Sequence, residues 1–248
     1  MKYLNTGKNK IIGLISSVPS EGGILVRKLK LIRKGINSCP VIYSGNIAGK
    51  NIAYSVSGIG KTNASHAVTL LIQNYSPALI INFGVGGAYP SAGLAVGDIA
   101  VATKEIYADE GVWLKDDLKP LETIGIPLLK IKGRRYFNEF PLNRRLAQAA
   151  LNSARLFTSS RSGIFTTVSS CTGTNKRSVE LKKRFSAVCE NMEGASIAHL
   201  CCLYKIPCIE IRGISNIVEE RDTRKWDIRL AAENCQKALI NFIEGVNI

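Results

Sequence analysis

Glu21, Glu193 and Asn216 are the residues of this chain whose types and settings could do chemistry. Glu21 follows the apolar run Ile11–Ser16 and a serine–proline loop. Glu193 follows SAVCEN and opens the helical run GASIAHLCCLY, and Asn216 follows IPCIEIRGIS. A carboxylate at a helix opening is held ionised by the helix dipole, and can take a proton from water or favour positive charge developing nearby. An asparagine donates and accepts at once. Taken singly, each is explained at least as well as a cap or turn residue. On one loop edge of one sheet, the three together would line a pocket.

Two glycine-rich stretches approach nucleotide-binding patterns and miss them. SVSGIGKT, residues 55–62, has the GK pair and threonine of a triphosphate loop, but the first glycine of that pattern would be residue 55, which is Ser55. NFGVGGAYP has Tyr89 where a dinucleotide fingerprint needs its third glycine. What remains, a loop with Gly84, Gly86 and Gly87 after an apolar strand, can bring backbone amides to a ligand or simply turn the chain. His66 and His199 are the only histidines; both fall in helical patterns and read as structural. Glu190 and Glu210 interrupt apolar strands, need partners if buried, and are expected to support the pocket. Glu105, Asp109 and Glu110 read as surface loop charges, and Lys130, Lys132, Arg134 and Arg135 as a solvated basic face.

The elements that must hold these residues are short apolar strands alternating with helices. Strands are expected at residues 11–16, 52–57, 78–83, 98–103, 186–190 and 207–211. Helices are expected at 24–34, 62–73, 142–152, 178–185, 194–204 and 227–242. Such alternation implies an α/β fold with a mostly parallel sheet covered on both faces, its ligand beyond the strand C-termini. Residues 107–135 lack that periodicity and read as a surface excursion on a single domain spanning 1–248.

Composition sets outer limits. With 248 residues, 46% hydrophobic, the chain is neither disordered nor fibrous and is long enough for a core without metal or disulfide staples. Its net charge of +14 permits a nucleic-acid partner but equally suits a basic enzyme with a small anionic substrate. No run reaches the roughly 18 apolar residues of a membrane span, and the N-terminus lacks an export core, so a cytoplasmic protein with no membrane partner is expected. Seven cysteines, mostly in apolar settings, read as reduced thiols. Cys201, Cys202 and Cys208 lack a histidine at zinc spacing, so neither metal nor other cofactor is expected.

NMEGASIAHLC (191–201) with CIEIRGISNIVEERD (208–222) strongly resembles the nucleoside phosphorylase and nucleosidase superfamily, especially its hydrolases of methylthioadenosine, S-adenosylhomocysteine and futalosine. SGIGKTNA, NFGVGGAY and LAVGDIAVAT match the same pattern in the same order. The resemblance implies a three-layer α/β/α sandwich with a mixed, mostly parallel central sheet, and cleavage of a purine N-glycosidic bond without a cofactor. It implies that Glu21 activates water, Glu193 holds a ribose hydroxyl, and Met192 packs under the sugar. Phe165 would flank base and sugar, Val85 and Gly86 the nucleophile side, and Ser215 with Asn216 the base. Asn216 departs from the aspartate of adenine-specific members and fits a 6-oxopurine, so the pattern GISN with Arg221 and Asp222 resembles futalosine hydrolase most closely. The alternatives are a methylthioadenosine/S-adenosylhomocysteine nucleosidase releasing adenine, alone or with dual specificity, a purine nucleoside phosphorylase and a basic nucleic-acid-binding protein. The resemblance further implies a homodimer with a small nucleoside substrate and no specific nucleic-acid partner.

Overall fold

The computed structural model describes residues 10–28, 30, 32–34, 40–115 and 117–247. In chain order its strands are β1 (Ile11–Ser16), β2 (Ile32–Lys34), β3 (Val41–Ile47), β4 (Lys50–Val56), β5 (Leu79–Ala88) and β6 (Ile99–Tyr107). There follow β7 (Val112–Leu114), β8 (Asp117–Lys119), β9 (Leu129–Ile131), β10 (Arg134–Tyr136), β11 (Glu139–Pro141), β12 (Ser160–Thr167), β13 (Cys189–Asn191) and β14 (Cys208–Ile217). Ten of them form one mixed sheet in the order β11-β6-β12-β13-β5-β1-β4-β3-β2, with β14 paired to both β5 and β6. Strands β5, β14, β6, β12 and β13 therefore close into a ring of ladders.

The helices are α1 (Gly23–Lys28), α2 (Lys61–Tyr75), α3 (Arg144–Ala154), α4 (Asn175–Phe185), α5 (Gly194–Tyr204) and α6 (Ile228–Gly245). Helices α2 and α5 pack together on one face of the sheet, α3 and α6 on the other. Alternation along β5 makes the layers: Leu79, Ile81 and Phe83 enter the core with α3 and α6, while Ile80 enters the core with α2 and α5. A strand apolar on both sides, buried on both sides, is what a covered sheet requires.

Three differences from the sequence pattern shape the site. The helix expected over 24–34 ends at Lys28, and Ile32–Lys34 is edge strand; residues 29 and 31 of that span lie outside the described set. Strands β3 and β12 were not anticipated, because VIYSGNI and SRSGIFTT carry glycine and polar residues that blur their alternation. Strands β5, β6 and β14 run well past their expected ends. Gly84, Gly86 and Gly87 thus stand inside β5, not in a loop, and they are there for close approach. A Cβ on Gly86 would lie 2.7 Å from Cys189 Sγ, and one on Gly87 2.7 Å from Val218 Cγ2. Likewise Glu105 is no surface charge: it lies in β6 and is fully buried.

Candidate functional site

Glu21 sits in a 3₁₀ turn, Pro19–Gly22, straight after β1. Its Oε2 accepts from the backbone amides of Ser17 (2.8 Å) and Val18 (3.0 Å), and its Oε1 from that of Val85 in β5 (2.8 Å). The approach to β5 needs Gly84, where a Cβ would fall 2.3 Å from Glu21 Oε1. Burial pushes the Glu21 carboxyl above its ordinary range, against the pull of Arg212 and the Val85 and Val18 amides. A carboxylate so raised is a better proton acceptor than one in water.

Arg212, on β14, is 1% exposed and links the carboxylates. Its Nε donates to Glu210 Oε1 at 2.8 Å, Nη2 to Glu193 Oε2 at 3.4 Å, and Nη1 to the Val85 carbonyl at 3.1 Å. Buried charges persist only when paired and hydrogen-bonded, and each of these is. Glu193 stands at the N-terminus of α5 without capping it, and its Oε1 accepts from the backbone amide of Gly60 at 2.9 Å. The stretch that imitates a phosphate loop thus presents its amide to a carboxylate of its own chain. Its Lys61 pairs with Asp109 (2.5 Å) and Glu110 (3.0 Å), and Asp109 also accepts from the Ser169 amide. Partial burial raises the Asp109 carboxyl, but Lys61 and that amide outweigh it and hold it below its usual range.

The opposite end of the site is made by a bulge. In the β14–β5 ladder Ile214 faces Gly86 and Asn216 faces Gly87, which leaves Ser215 without a partner. A bulge re-aims side chains that strict alternation would send to opposite faces. Ser215 and Asn216 both line the same cavity as a result. Ser215 Oγ donates to Asn216 Oδ1 at 2.8 Å, and Asn216 Nδ2 donates to the Ile217 carbonyl at 3.1 Å. Nearby, Glu190 accepts from the Thr172 amide (2.8 Å), the Thr172 hydroxyl (2.7 Å) and the Tyr89 hydroxyl (2.9 Å), tying the segment after β12 to the cavity wall. Arg221 stacks on the Trp226 ring, 4.7 Å from its centroid, and both line the cavity.

The cavity has a volume of about 270 Å³. Around it the structure brings together Glu21, Val85, Gly86, Met192, Glu193, Ser215 and Asn216. It does not bring Phe165, which is fully buried among core residues between β6 and β13, its ring committed to packing. Asp222 is also absent; it caps a 3₁₀ turn and pairs with Arg224. Neither histidine lines the cavity; His199 stacks on Phe140 at 4.3 Å, and burial lowers its pKa. Larger clefts, of about 460 Å³ beside residues 134–139 and 570 Å³ beside α6, contain no carboxylate held by backbone amides among the described residues. Sequence reasoning passed over Cys171 and Thr172 on the cavity wall, and assigned Arg212 no role there. An arginine amid CIEIRGIS was the visible hint, since a charge inside an apolar strand must be paired. Among the described residues no cluster of His, Cys, Asp or Glu is placed to hold a metal ion, and no helix is long and apolar enough to cross a membrane.

The family model for the phosphorylase superfamily matches residues 11–244. A futalosine hydrolase from Thermus thermophilus is 32% identical over 193 residues, covering 78% of this chain and 81% of the relative. A 5'-methylthioadenosine/S-adenosylhomocysteine nucleosidase from Buchnera aphidicola is 31% identical over 245 residues, covering 96% and 91%. Among solved structures, an S-adenosylhomocysteine nucleosidase from Streptococcus pyogenes in complex with 5-methylthiotubericidin superposes with a TM-score of 0.83 at 22% identity, over 98% of this chain and all of that one. At that identity the likeness is one of fold.

Proposed function

From the premise that this chain belongs to the phosphorylase superfamily, a family acting on purine nucleosides, we propose that it hydrolyses the N-glycosidic bond of a purine nucleoside. The observation that carries this reading is the arrangement of Glu21, Arg212 and Glu193 on one wall of the cavity: a base fixed by three amides beside a second carboxylate for the sugar. The bond from the anomeric carbon to the purine nitrogen breaks, and its electron pair leaves with the base. The carboxylates favour the positive charge left on the sugar. Water attacks from the opposite face, Glu21 takes its proton, and the departing purine anion takes a proton from solvent. Glu193, immobilised by Gly60 and Arg212, holds the ribose hydroxyls. Hydrolysis is favoured over phosphorolysis because the Val85 amide, which could face an anion, is occupied by Glu21.

For the base, Asn216 supports a 6-oxopurine. The Ile217 carbonyl, which can only accept, fixes which end of the amide is nitrogen, and the Ser215 hydroxyl donates to the oxygen, leaving the second Nδ2 proton to face a purine N7 or O6 acceptor. Futalosine, cleaved to hypoxanthine and dehypoxanthinyl futalosine for menaquinone biosynthesis, is the substrate this favours. A second reading, release of adenine from methylthioadenosine or S-adenosylhomocysteine, has broader support among the relatives: four of that name align over 95–96% of the chain and another over 83%, the futalosine hydrolase over 78%. Assaying futalosine, methylthioadenosine and inosine side by side, with and without phosphate, tests both. Phosphate-independent release of hypoxanthine from futalosine alone is expected; efficient adenine release would select the second reading, and no release from any of them would overturn hydrolysis of a purine nucleoside. The exposed Trp113 and Ile126 in the excursion support a homodimer, which sedimentation would test.

A further inference from the structure

Glu105 is a buried carboxyl that the scheme above does not use. It lies on β6, outside the cavity lining, with no exposed surface. Its Oε1 accepts from Asn191 Nδ2 and its Oε2 from Thr167 Oγ1, each at 2.7 Å. Those two donors cap α5. Asn191 Oδ1 accepts from the amides of Glu193 (3.0 Å) and Gly194 (2.7 Å), and Thr167 Oγ1 accepts from that of Ala195 (2.7 Å). A hydroxyl has one proton to give, and the shorter of the two contacts available to Thr167 is to Glu105. The first turn of α5, with Glu193 at its head, therefore hangs from Glu105 through two side chains.

Glu105 also meets a second carboxyl. A Cβ on Gly194 would lie 2.2 Å from Glu105 Oε1 and 2.3 Å from Glu210 Oε2, so only glycine lets the two converge there. Glu210 Oε1 in turn accepts from Arg212 Nε. Two carboxyls in contact, shielded from water, cannot both ionise. Burial first, and then Glu210, push Glu105 well above the usual carboxylate range. The other titratable groups facing the pair are Cys189 and Cys208, both raised and neutral, and Tyr107, also raised. Arg212, which also faces Glu21 and Glu193, is the cation beside it.

We propose that Glu105 and Glu210 form a carboxylic acid–carboxylate pair holding one proton, and that the pair positions the catalytic carboxylates. Glu210, ionised, aims the Arg212 guanidinium at Glu21 and Glu193. Glu105, protonated on Oε1 and donating to Glu210 Oε2, anchors the caps of α5 and so fixes Glu193. The positioning role rests on the nucleosidase reading; the shared proton does not.

Variants at these two positions test the pair, with kinetics, melting temperature and infrared spectra recorded on each. Glu105→Ala is expected to lower kcat on the order of 100-fold, while KM changes less than about threefold, because Glu193 loses its register. Glu105→Gln restores a donor toward Glu210, though its amide nitrogen cannot also accept from Asn191, and should recover kcat to within about tenfold of the parent. Glu210→Gln should not be rescued in this way, since an amide cannot balance the Arg212 charge. The infrared spectrum at neutral pH should contain the C=O stretch of a protonated carboxyl that persists in Glu21→Gln and vanishes in Glu105→Gln. Absence of that band in the parent protein, equal losses in the Gln and Ala variants of Glu105, or full activity in Glu105→Ala would each overturn the proposal. Should Glu105→Ala fail to fold, the Gln variants and the infrared band decide. A parent protein that cleaves no purine nucleoside would refute the nucleosidase reading, and with it the positioning role, while the band would still decide the shared proton.

Discussion

The two ends of the cavity are built on opposite principles. At one end Glu21, Glu193 and Arg212 are 3%, 4% and 1% exposed, and their charges are met by backbone amides or by one another. At the other, Asn216 and Trp226 are half-buried and Arg221 is exposed; Asn216 is held through its chain neighbours and Arg221 by stacking. Removing one member of a buried charge network leaves another charge without compensation, a penalty of about 3–5 kcal/mol for an isolated pair. Removing a neutral hydrogen bond costs only about 1 kcal/mol. The first end can therefore be altered only by disabling it, whereas the second can be tuned one bond at a time. Chemistry belongs to the end of buried charges, and choice of base to the end whose reader, Asn216, is neutral.

The largest effect is expected from Glu21→Gln, which keeps the shape and removes the proton acceptor. It should lower kcat on the order of 1,000-fold with binding retained, read by single-turnover kinetics and ligand titration. Retained turnover would erase the contrast between the ends. The acid limb of the rate profile sharpens it further. Glu21 acts as a base only when ionised, and burial raises its pKa, so activity should fall with decreasing pH from above the usual carboxylate range. Asn216 does not titrate and adds no limb. Next, Glu193→Gln should cost on the order of 100-fold in kcat/KM by removing a charge that favours the cationic sugar. A melting temperature recorded alongside separates that loss from a loss of fold.

At both ends, what is local can be read from the chain and what is not local cannot. Strand β1 and helix α5 have the bounds their patterns predict, because an uninterrupted apolar run and an N-terminal carboxylate are local features. Glu21, Glu193 and Asn216 could be named for the same reason: each stands at a local change of pattern. What escaped is non-local. The Gly60 amide meets Glu193 across 133 positions, and nothing local distinguishes that use of the loop from phosphate binding. Glu105 looked like a loop charge because its partners lie 62 and 86 positions away. Phe165 looked like a pocket aromatic, yet its place in β12 turns the ring into the core. The bulge at Ser215 depends on register with β5 and has no local mark.

At the neutral end, Asn216→Asp should change preference more than rate. An ionised carboxylate repels the O6 acceptor of a 6-oxopurine and attracts the amino group of adenine. The ratio of kcat/KM for an oxopurine nucleoside to that for an adenine nucleoside should fall by about 10-fold or more. Competition between the two substrates in one reaction reads this ratio directly. An unchanged ratio would remove Asn216 as the reader of the base and leave the second substrate reading standing.

The smallest effect is expected from Ser215→Ala, and it is the most discriminating. The Ser215 hydroxyl has one proton, which goes to Asn216 Oδ1 at 2.8 Å in preference to the Gly86 carbonyl at 3.3 Å. Without it the Asn216 amide keeps its contact to Ile217, which still marks its nitrogen, but loses the donor that holds its oxygen in place. The bulge itself follows from the backbone register with β5 and survives the change. About 1 kcal/mol of orientation should be lost, equivalent to about fivefold in base selectivity, with kcat for the preferred nucleoside nearly unchanged. Should Ser215→Ala instead collapse kcat as Glu21→Gln does, the bulge would belong to the chemistry, and the division between a charged end that reacts and a neutral end that selects would fail.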